Sequence, residues 1–142
     1  MYFYLTPELN FSLEKKIFFS TKYNEVNLRN GPGTNHLILY KILKKGYPVL
    51  VLEEFENWKR ILDFENRSGW IANSQLTKNK YGILVSNSEL LKKFPINESK
   101  HLAILKKGVV FEILVCKKDW CKIKIRNEKG WVRKASYWGS KQ

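Results

Sequence analysis

The sequence is poor in the residues that most enzymes use for catalysis or for holding a metal ion. Its 142 residues include two histidines and two cysteines. Neither His36 nor His101 lies in a signature context such as HExxH, and no GxSxG motif is present. A zinc site needs about four ligands, which this set cannot easily assemble. The sequence therefore predicts a protein that is not an enzyme and has neither metal site nor cofactor.

Long apolar runs are also missing. No stretch of about 18 apolar residues occurs, so the sequence predicts no membrane span. The chain opens with MYFYLTPELNFSLEKK, a short apolar piece followed by a polar one without a basic leader. Residues 1–17 are interpreted either as an unstructured arm or as the remnant of an export signal that begins upstream.

Acidic residues are scarce and unevenly placed. The chain has 26 Lys and Arg against 13 Asp and Glu, a net charge of +13. Residues 78–142 hold sixteen basic and five acidic residues, a charge of +11, and residues 16–77 hold nine and six, a charge of +3. A positive field of this kind attracts nucleic acid, anionic lipid or an anionic polymer. The alternative is a composition bias that only keeps a small protein soluble.

A repeat of about 60 residues runs through the chain. ILKKG occurs at 42–46 and again at 104–108, Trp58 is matched by Trp120, and GWI at 69–71 is matched by GWV at 130–132. This period exceeds the 20–50 residues of solenoid repeats and suits two small tandem domains. We place these domains at residues 18–78 and 79–138, followed by a short tail at 139–142.

Each repeat has the pattern of short strands. NEVNLR alternates apolar and polar residues, and YPVLVLEEF is an apolar run rich in β-branched residues. Gly, Asn and Asp mark the boundaries between such runs, and no long stretch has a helical period. The sequence predicts an all-β fold with about five strands per repeat, closing into two small barrels.

The order NLRNGPG, LKKG, WKxI and GW resembles the bacterial SH3-type domain. The resemblance covers residues 18–77 well and 80–138 more loosely, and CKKDWC and the terminal YWG also resemble a two-repeat family of such proteins. It implies two tandem SH3-like barrels, the second degenerate. It further implies a binding role, often toward a cell-wall peptide or another protein. We expect a monomer or weak oligomer in the cell envelope, whose partner is a cell-wall peptide or an envelope protein.

The loop after the first strand pattern is the first candidate site. It follows Arg29 and consists of Asn30, Gly31, Pro32 and Gly33. A phosphate cradle is excluded because the GxxxxGK[ST] and GxGxxG spacings are absent. Three interpretations stay open for Arg29: it meets a ligand carboxylate, it lies over a neighbouring Trp, or it pairs internally with Glu25 or another acid and holds the loop.

The glycines of this loop allow positive φ, and Pro32 stiffens the corner. The corresponding stretch of the second repeat reads ELLKKFPIN, in which Pro95 aligns with Pro32 but the glycines and the arginine are lost. This loss suggests that the first repeat carries the original binding site.

Tryptophans beside basic residues are the second candidate site. If Ile61 points inward, strand alternation places Trp58 and Arg60 outward. The same reasoning places Trp120 outward beside Lys122 and Lys124. Exposed rings next to cations favour sugars, proline-rich peptides or bases. The alternative is that each ring only covers a barrel end.

The other tryptophans are given structural roles. Trp70 and Trp131 follow glycine at a strand start and are expected in the cores. Trp138 either closes the second barrel or docks one unit on the other.

The two cysteines lie on neighbouring strands. Cys116 and Cys121 flank a short turn, so their sulfur atoms can face each other across a hairpin. We predict a disulfide, which favours an oxidising compartment and, with the export interpretation, the periplasm or cell envelope.

Three functions compete. The leading one is a non-catalytic module that binds peptidoglycan peptide or an envelope protein. The second is binding of nucleic acid or another anionic polymer by the basic second repeat, with Trp120 stacking on a base. The third is a structural subunit whose groove is covered by a partner.

Overall fold

The computed structural model describes residues 16–141, and strands dominate this part of the chain. Seven strands form a first unit, namely β1 Phe18–Thr21, β2 Val26–Arg29, β3 Ile38–Ile42, β4 Pro48–Phe55, β5 Trp58–Leu62, β6 Ser68–Ala72 and β7 Leu76–Thr77. Seven more form a second unit, namely β8 Tyr81–Leu84, β9 Ser88–Lys92, β10 His101–Lys106, β11 Val110–Lys117, β12 Trp120–Ile125, β13 Glu128–Arg133 and β14 Tyr137–Gly139. A single 3-10 turn precedes the last strand of each unit, at Asn73–Gln75 and Lys134–Ser136.

The two units have the same topology. The strand order is β3-β2-β6-β5-β4-β1-β7 in the first sheet and β10-β9-β13-β12-β11-β8-β14 in the second, with antiparallel neighbours. This arrangement confirms the all-β fold of two tandem SH3-like domains. Each sheet has seven strands rather than the expected five, in part because a short strand extends its edge. This strand is β7, next to β1, in the first sheet and β14, next to β8, in the second. The last strand reaches Gly139, one residue into the segment that we had assigned to the tail.

Alternation builds a separate core in each unit. Along β2, Val26 and Leu28 are 1% exposed, while Asn27 and Arg29 are partly exposed. The first core contains chiefly aliphatic side chains, among them Val49, Ile61 and Ile71. The second contains the equivalent set around Phe111, Ile123 and Val132. Burying such side chains is the main driving force that holds each small unit together.

The two units pack directly on each other. Ile83 of the second unit belongs to the first unit's core, and Trp138 packs against that core. The Trp138 ring meets Phe18 edge to face, with centroids 4.9 Å apart. The Ser20 hydroxyl donates to the carbonyl oxygen of Asn79 over 3.1 Å. Of the two roles weighed for Trp138, the structure therefore has the docking role.

The cysteines and the absence of a predicted membrane span can also be compared with the structure. Cys116 and Cys121 are paired directly across β11 and β12 and form a disulfide. The phenol of Tyr137 lies 3.0 Å from Cys121 Sγ, and burial raises the pKa of this phenol above its ordinary value. Within residues 16–141, no helix is long and apolar enough to cross a membrane. Residues 1–15, which include most of the proposed arm or export remnant, lie outside the described part.

Candidate functional site

The outer face of the first sheet presents aromatic and basic side chains. On β5, Lys59 and Ile61 are buried, and Trp58 and Arg60 lie on the opposite face with partial exposure. Cross-strand neighbours share a face, and Trp58 pairs with Ala72 of β6. Sequence alternation thus gives the correct orientation for Trp58 and Arg60.

A groove of about 280 Å³ lies on this face. It is lined by Glu25, Asn27, Arg29, Thr34, Trp58, Ala72, Ser74 and Gln75. Strand β6 runs between β2 and β5, so its small Ala72 side chain leaves space between the residues of the two outer strands. The Trp58 ring therefore forms one wall of the groove, and the polar side chains of β2 form the other. We call this site the β2–β5 groove.

Arg29 holds the neighbouring loop. Its Nη1 donates to the carbonyl oxygens of Thr34, at 3.1 Å, and His36, at 2.9 Å. Arg29 holds the loop through these carbonyl groups and not through Glu25, which forms an exposed ion pair with Lys41 over 2.9 Å. Arg29 nevertheless lines the groove. A guanidinium has five N–H donors, so holding two carbonyl groups leaves others for a ligand.

The loop glycines serve close packing rather than an unusual backbone. Among the described residues, positive φ at glycine occurs at Gly46, Gly108 and Gly139, so Gly31 and Gly33 do not adopt the positive φ that glycine allows. A Cβ on Gly31 would lie 2.4–2.6 Å from atoms of the His36 ring. Gly31 is therefore required because His36 covers it.

The second unit keeps the same loop without glycine. Lys92 replaces Arg29, and its Nζ donates to the carbonyl oxygens of Asn97, at 3.0 Å, and Ser99, at 3.2 Å. Equivalent backbone hydrogen bonds also close the two loops, because the Asn30 amide donates to the carbonyl oxygen of Leu37 and the Lys93 amide to that of Lys100. The expectation that this loop is lost from the second unit is therefore wrong. Phe94 fits at the position of Gly31 because the small Ser99 replaces His36.

This exchange predicts a rescue. We expect Gly31→Ala to lower the free energy of unfolding by about 1–2 kcal/mol, because the added methyl group overlaps the His36 ring. Adding His36→Ser should recover most of this loss, since it recreates the combination of the second unit. Urea unfolding of the single and double variants measures both effects. An equal loss in the two variants would show that the ring is not the obstacle.

The equivalent groove of the second unit is filled. Trp120 pairs across the sheet with Arg133, which occupies the place of Ala72. The Arg133 guanidinium lies 5.5 Å from the Trp120 ring centroid, and it hydrogen-bonds to the Asn97 side chain. An arginine thus covers the face of Trp120 that a ligand would use. Because Arg133 covers Trp120 in the second unit, the first unit is the better candidate for a binding site. The loss of glycine and arginine from the second loop does not decide between the units.

The β2–β5 groove contains an acceptor without a donor. Asn27 Oδ1 is buried and has no hydrogen-bond partner within the described part of the chain. A buried amide oxygen of this kind costs about 1–3 kcal/mol when left unpaired. In the second unit, Leu90 replaces Asn27. The first unit alone therefore offers an unpaired acceptor at this position, ready for an N–H or O–H group.

The groove brings together only part of the predicted site. It includes Arg29 and Trp58, and Thr34 rather than Asn30, Gly31, Pro32 or Gly33 represents the loop. The Arg60 side chain pairs with Glu53 over 2.8 Å and does not line the groove, and Trp120 belongs to the other unit. Sequence reasoning missed Asn27, although it lies on the polar face of the alternating NEVNLR stretch.

The two remaining tryptophans differ in burial. Trp131 is 9% exposed. Trp70, which we expected in the core, instead lies on the outer face beside Arg29 and Arg60, because its neighbours Gly69 and Ile71 take the inward positions. Across residues 16–141, no group of three or more His, Cys, Asp or Glu side chains could hold a metal ion.

Comparison with known proteins places these features in a family. The family described as bacterial SH3 domain matches residues 22–78 and 93–139. No curated protein matches the chain.

Three solved structures are similar in fold. NlpC2 and NlpC1 from Trichomonas vaginalis are 13% and 12% identical, and an NlpC/P60 family protein from Bacillus cereus is 14% identical, each with a TM-score of 0.39. They cover 87%, 86% and 87% of this chain, which in turn covers 48%, 45% and 56% of theirs. The chain thus spans about half the length of each.

The two family matches account for most of the described residues, and each falls within one seven-stranded sheet. Bacterial SH3 domains are typically cell-wall binding modules and are often extracellular or associated with the cell envelope. The chain belongs to the bacterial SH3 domain family and carries two copies of the domain in tandem.

Proposed function

We propose that the chain is a non-catalytic module that binds a cell-wall peptide in the β2–β5 groove of its first unit. The observation that carries this proposal is the groove itself, which is lined by a partly exposed tryptophan and by Asn27, whose buried amide oxygen has no hydrogen-bond partner among the described residues. The second unit supports the first through the packed interface and adds positive charge. The proposed location is the cell envelope, outside the cytoplasm.

The chemistry of the groove fits a peptide. Asn27 offers an acceptor for a backbone N–H or an amine, and the Arg29 guanidinium offers donors for a carbonyl or a carboxylate. Trp58 provides a flat apolar wall for the aliphatic part of the same ligand. A short peptide presents all three groups within one segment. A neutral polysaccharide without amide substituents lacks the carboxylate and the N–H groups that Arg29 and Asn27 would bind.

The test is retention on purified peptidoglycan at about 1 M salt, where the Debye length falls to about 3 Å and charge attraction is screened. We expect Asn27→Leu, which copies the second unit, to weaken retention about tenfold, because it removes a buried hydrogen bond. Asn27→Asp keeps the acceptor and should retain binding. Equal behaviour of the two variants would show that this acceptor does not contact the ligand.

Base stacking by the second unit has less support. Arg133 already lies over Trp120, so this ring is not free to receive a base. Binding of single-stranded nucleic acid that survives Trp120→Ala would agree with this geometry. If the chain binds no peptidoglycan at any salt concentration, the result would favour the third function, a structural subunit whose groove is covered by a partner.

A further inference from the structure

A second depression lies between the two units and is separate from the β2–β5 groove. This inter-unit cleft has a volume of about 250 Å³. The first unit contributes Lys44 and Lys45, from the turn before β4. The second contributes Lys124 of β12 and Arg126 of the following turn. Four cations thus converge from distant parts of the sequence.

Most of these cations have no acidic partner. In residues 16–141, no carboxylate forms an ion pair with Lys45, Lys124 or Arg126. Glu112 also lines the cleft, directly across from Lys124, and leaves a surplus of three positive charges. Like charges held close together repel each other, so an anion that binds them all relieves this repulsion.

The cleft is fixed by the docking of the units. Lys44 Nζ donates to the carbonyl oxygen of Gly108 over 3.1 Å and so ties the first unit's turn to the second unit. Gly46, with φ of +80°, lies under the Tyr81 ring, where a Cβ would be only 2.8 Å from the ring. Lys45 therefore lies between two residues, Lys44 and Gly46, that are both held against the second unit.

The aromatic residues of the cleft are already engaged. Phe111 is 1% exposed and the Tyr81 ring packs on Gly46. Stacking of bases on free rings is the main way in which proteins bind single-stranded nucleic acid without sequence preference. The cleft offers charge without a free ring, so its chemistry matches a phosphate backbone that carries no bases.

We propose that the inter-unit cleft binds the phosphate groups of a phosphodiester polymer without bases, such as a polyol phosphate chain. Lysine binds phosphate as a point charge and arginine binds it with two parallel N–H groups, so Lys45, Lys124 and Arg126 suit this ligand. The site is separate from the β2–β5 groove. A protein with both would hold a wall peptide and an anionic polymer at the same time.

The test is binding of the full chain to a synthetic oligo(glycerol phosphate), measured over a range of salt concentrations. We expect the affinity to fall steeply with salt, because each neutralised phosphate releases counterions. Lys45→Gln with Lys124→Gln should weaken binding about tenfold and flatten the salt dependence. The matched control is Lys93→Gln with Lys100→Gln, which removes the same charge from an exposed loop of the second unit and should change the affinity less than about twofold.

Three results would overturn the proposal. The first is the absence of binding at low salt. The second is equal weakening by the cleft and control variants, which would indicate only a diffuse positive surface. The third is tighter binding to oligo(dT) with the same number of phosphates, which would indicate that bases contribute. The Asn27→Leu variant should bind oligo(glycerol phosphate) normally, so failure of the groove proposal and failure of this one are separable.

Discussion

Replacing Trp58 by alanine should abolish retention of the chain on peptidoglycan at high salt. Trp58 forms the apolar wall of the β2–β5 groove and is partly exposed on the outer face of the first sheet. Buried aromatic anchors dominate the energy of recognition sites, and losing one typically costs about 2 kcal/mol or more. We therefore expect at least tenfold weaker binding, measured by co-sedimentation with purified peptidoglycan at about 1 M salt.

The tandem repeat supplies the control for this variant. Trp120 occupies the same position in the second unit, but Arg133 lies against it. Trp120→Ala should therefore leave high-salt retention unchanged. If both variants lost binding equally, the two units would share the ligand. If neither did, the β2–β5 groove would not be the peptide site.

Sequence reasoning was most successful where a pattern repeated. The ILKKG and GW pairs predicted two units, and alternation around Ile61 gave the orientation of Trp58. Strand alternation is local, so it can be derived without knowing what the strand packs against. The same alternation places Lys59 on the inner face beside Ile61, although burial of a charged residue was not expected from the sequence. Its ammonium pairs with Glu54 over 2.8 Å and lies 4.9 Å from the Phe19 ring, and the hydrogen bond from Lys59 lowers the pKa of the Glu54 carboxyl.

The role of Gly31 in the loop after β2 could not be derived from the sequence, because it depends on a contact with the His36 side chain. Glycine in a turn normally indicates positive φ, whereas Gly31 is required by the His36 ring that covers it. The exchange of Gly31 and His36 for Phe94 and Ser99 becomes visible only when the two loops are superposed by their hydrogen bonds. For the same reason, the sequence gave no indication that Arg133 covers Trp120.

The units also differ beneath the turn after β5. In the first unit, Asp63 is 2% exposed and accepts hydrogen bonds from the Tyr47 phenol, at 3.0 Å, and from Arg67 Nε, at 2.7 Å. The backbone amides of Glu65 and Arg67 donate to its other carboxylate oxygen. Burial, together with the nearby carboxylate, raises the pKa of Tyr47 well above its ordinary value, so the phenol remains a donor. The second unit has Val109 and Ile125 at the positions of Tyr47 and Asp63, and its turn is one residue shorter.

We expect Asp63→Ala to lower the free energy of unfolding by about 3 kcal/mol. The variant removes the acceptor of four hydrogen bonds. It leaves the buried Tyr47 phenol without an acceptor, and Arg67 keeps only Glu65 as an ion-pair partner. Thermal or urea unfolding of the full chain measures the loss.

The matched variant is Tyr47→Val with Asp63→Ile, which installs the apolar pair of the second unit. Replacing two buried polar partners by apolar side chains often costs much less than removing one of them and leaving the other unpaired. We therefore expect this double variant to be more stable than Asp63→Ala. If it is the less stable of the two, the added apolar side chains do not fit this core, because both variants lack the bonds to the Glu65 and Arg67 amides equally. The ordering of the two variants thus shows whether an apolar pair can take the place of the Tyr47–Asp63 hydrogen bond inside the first unit.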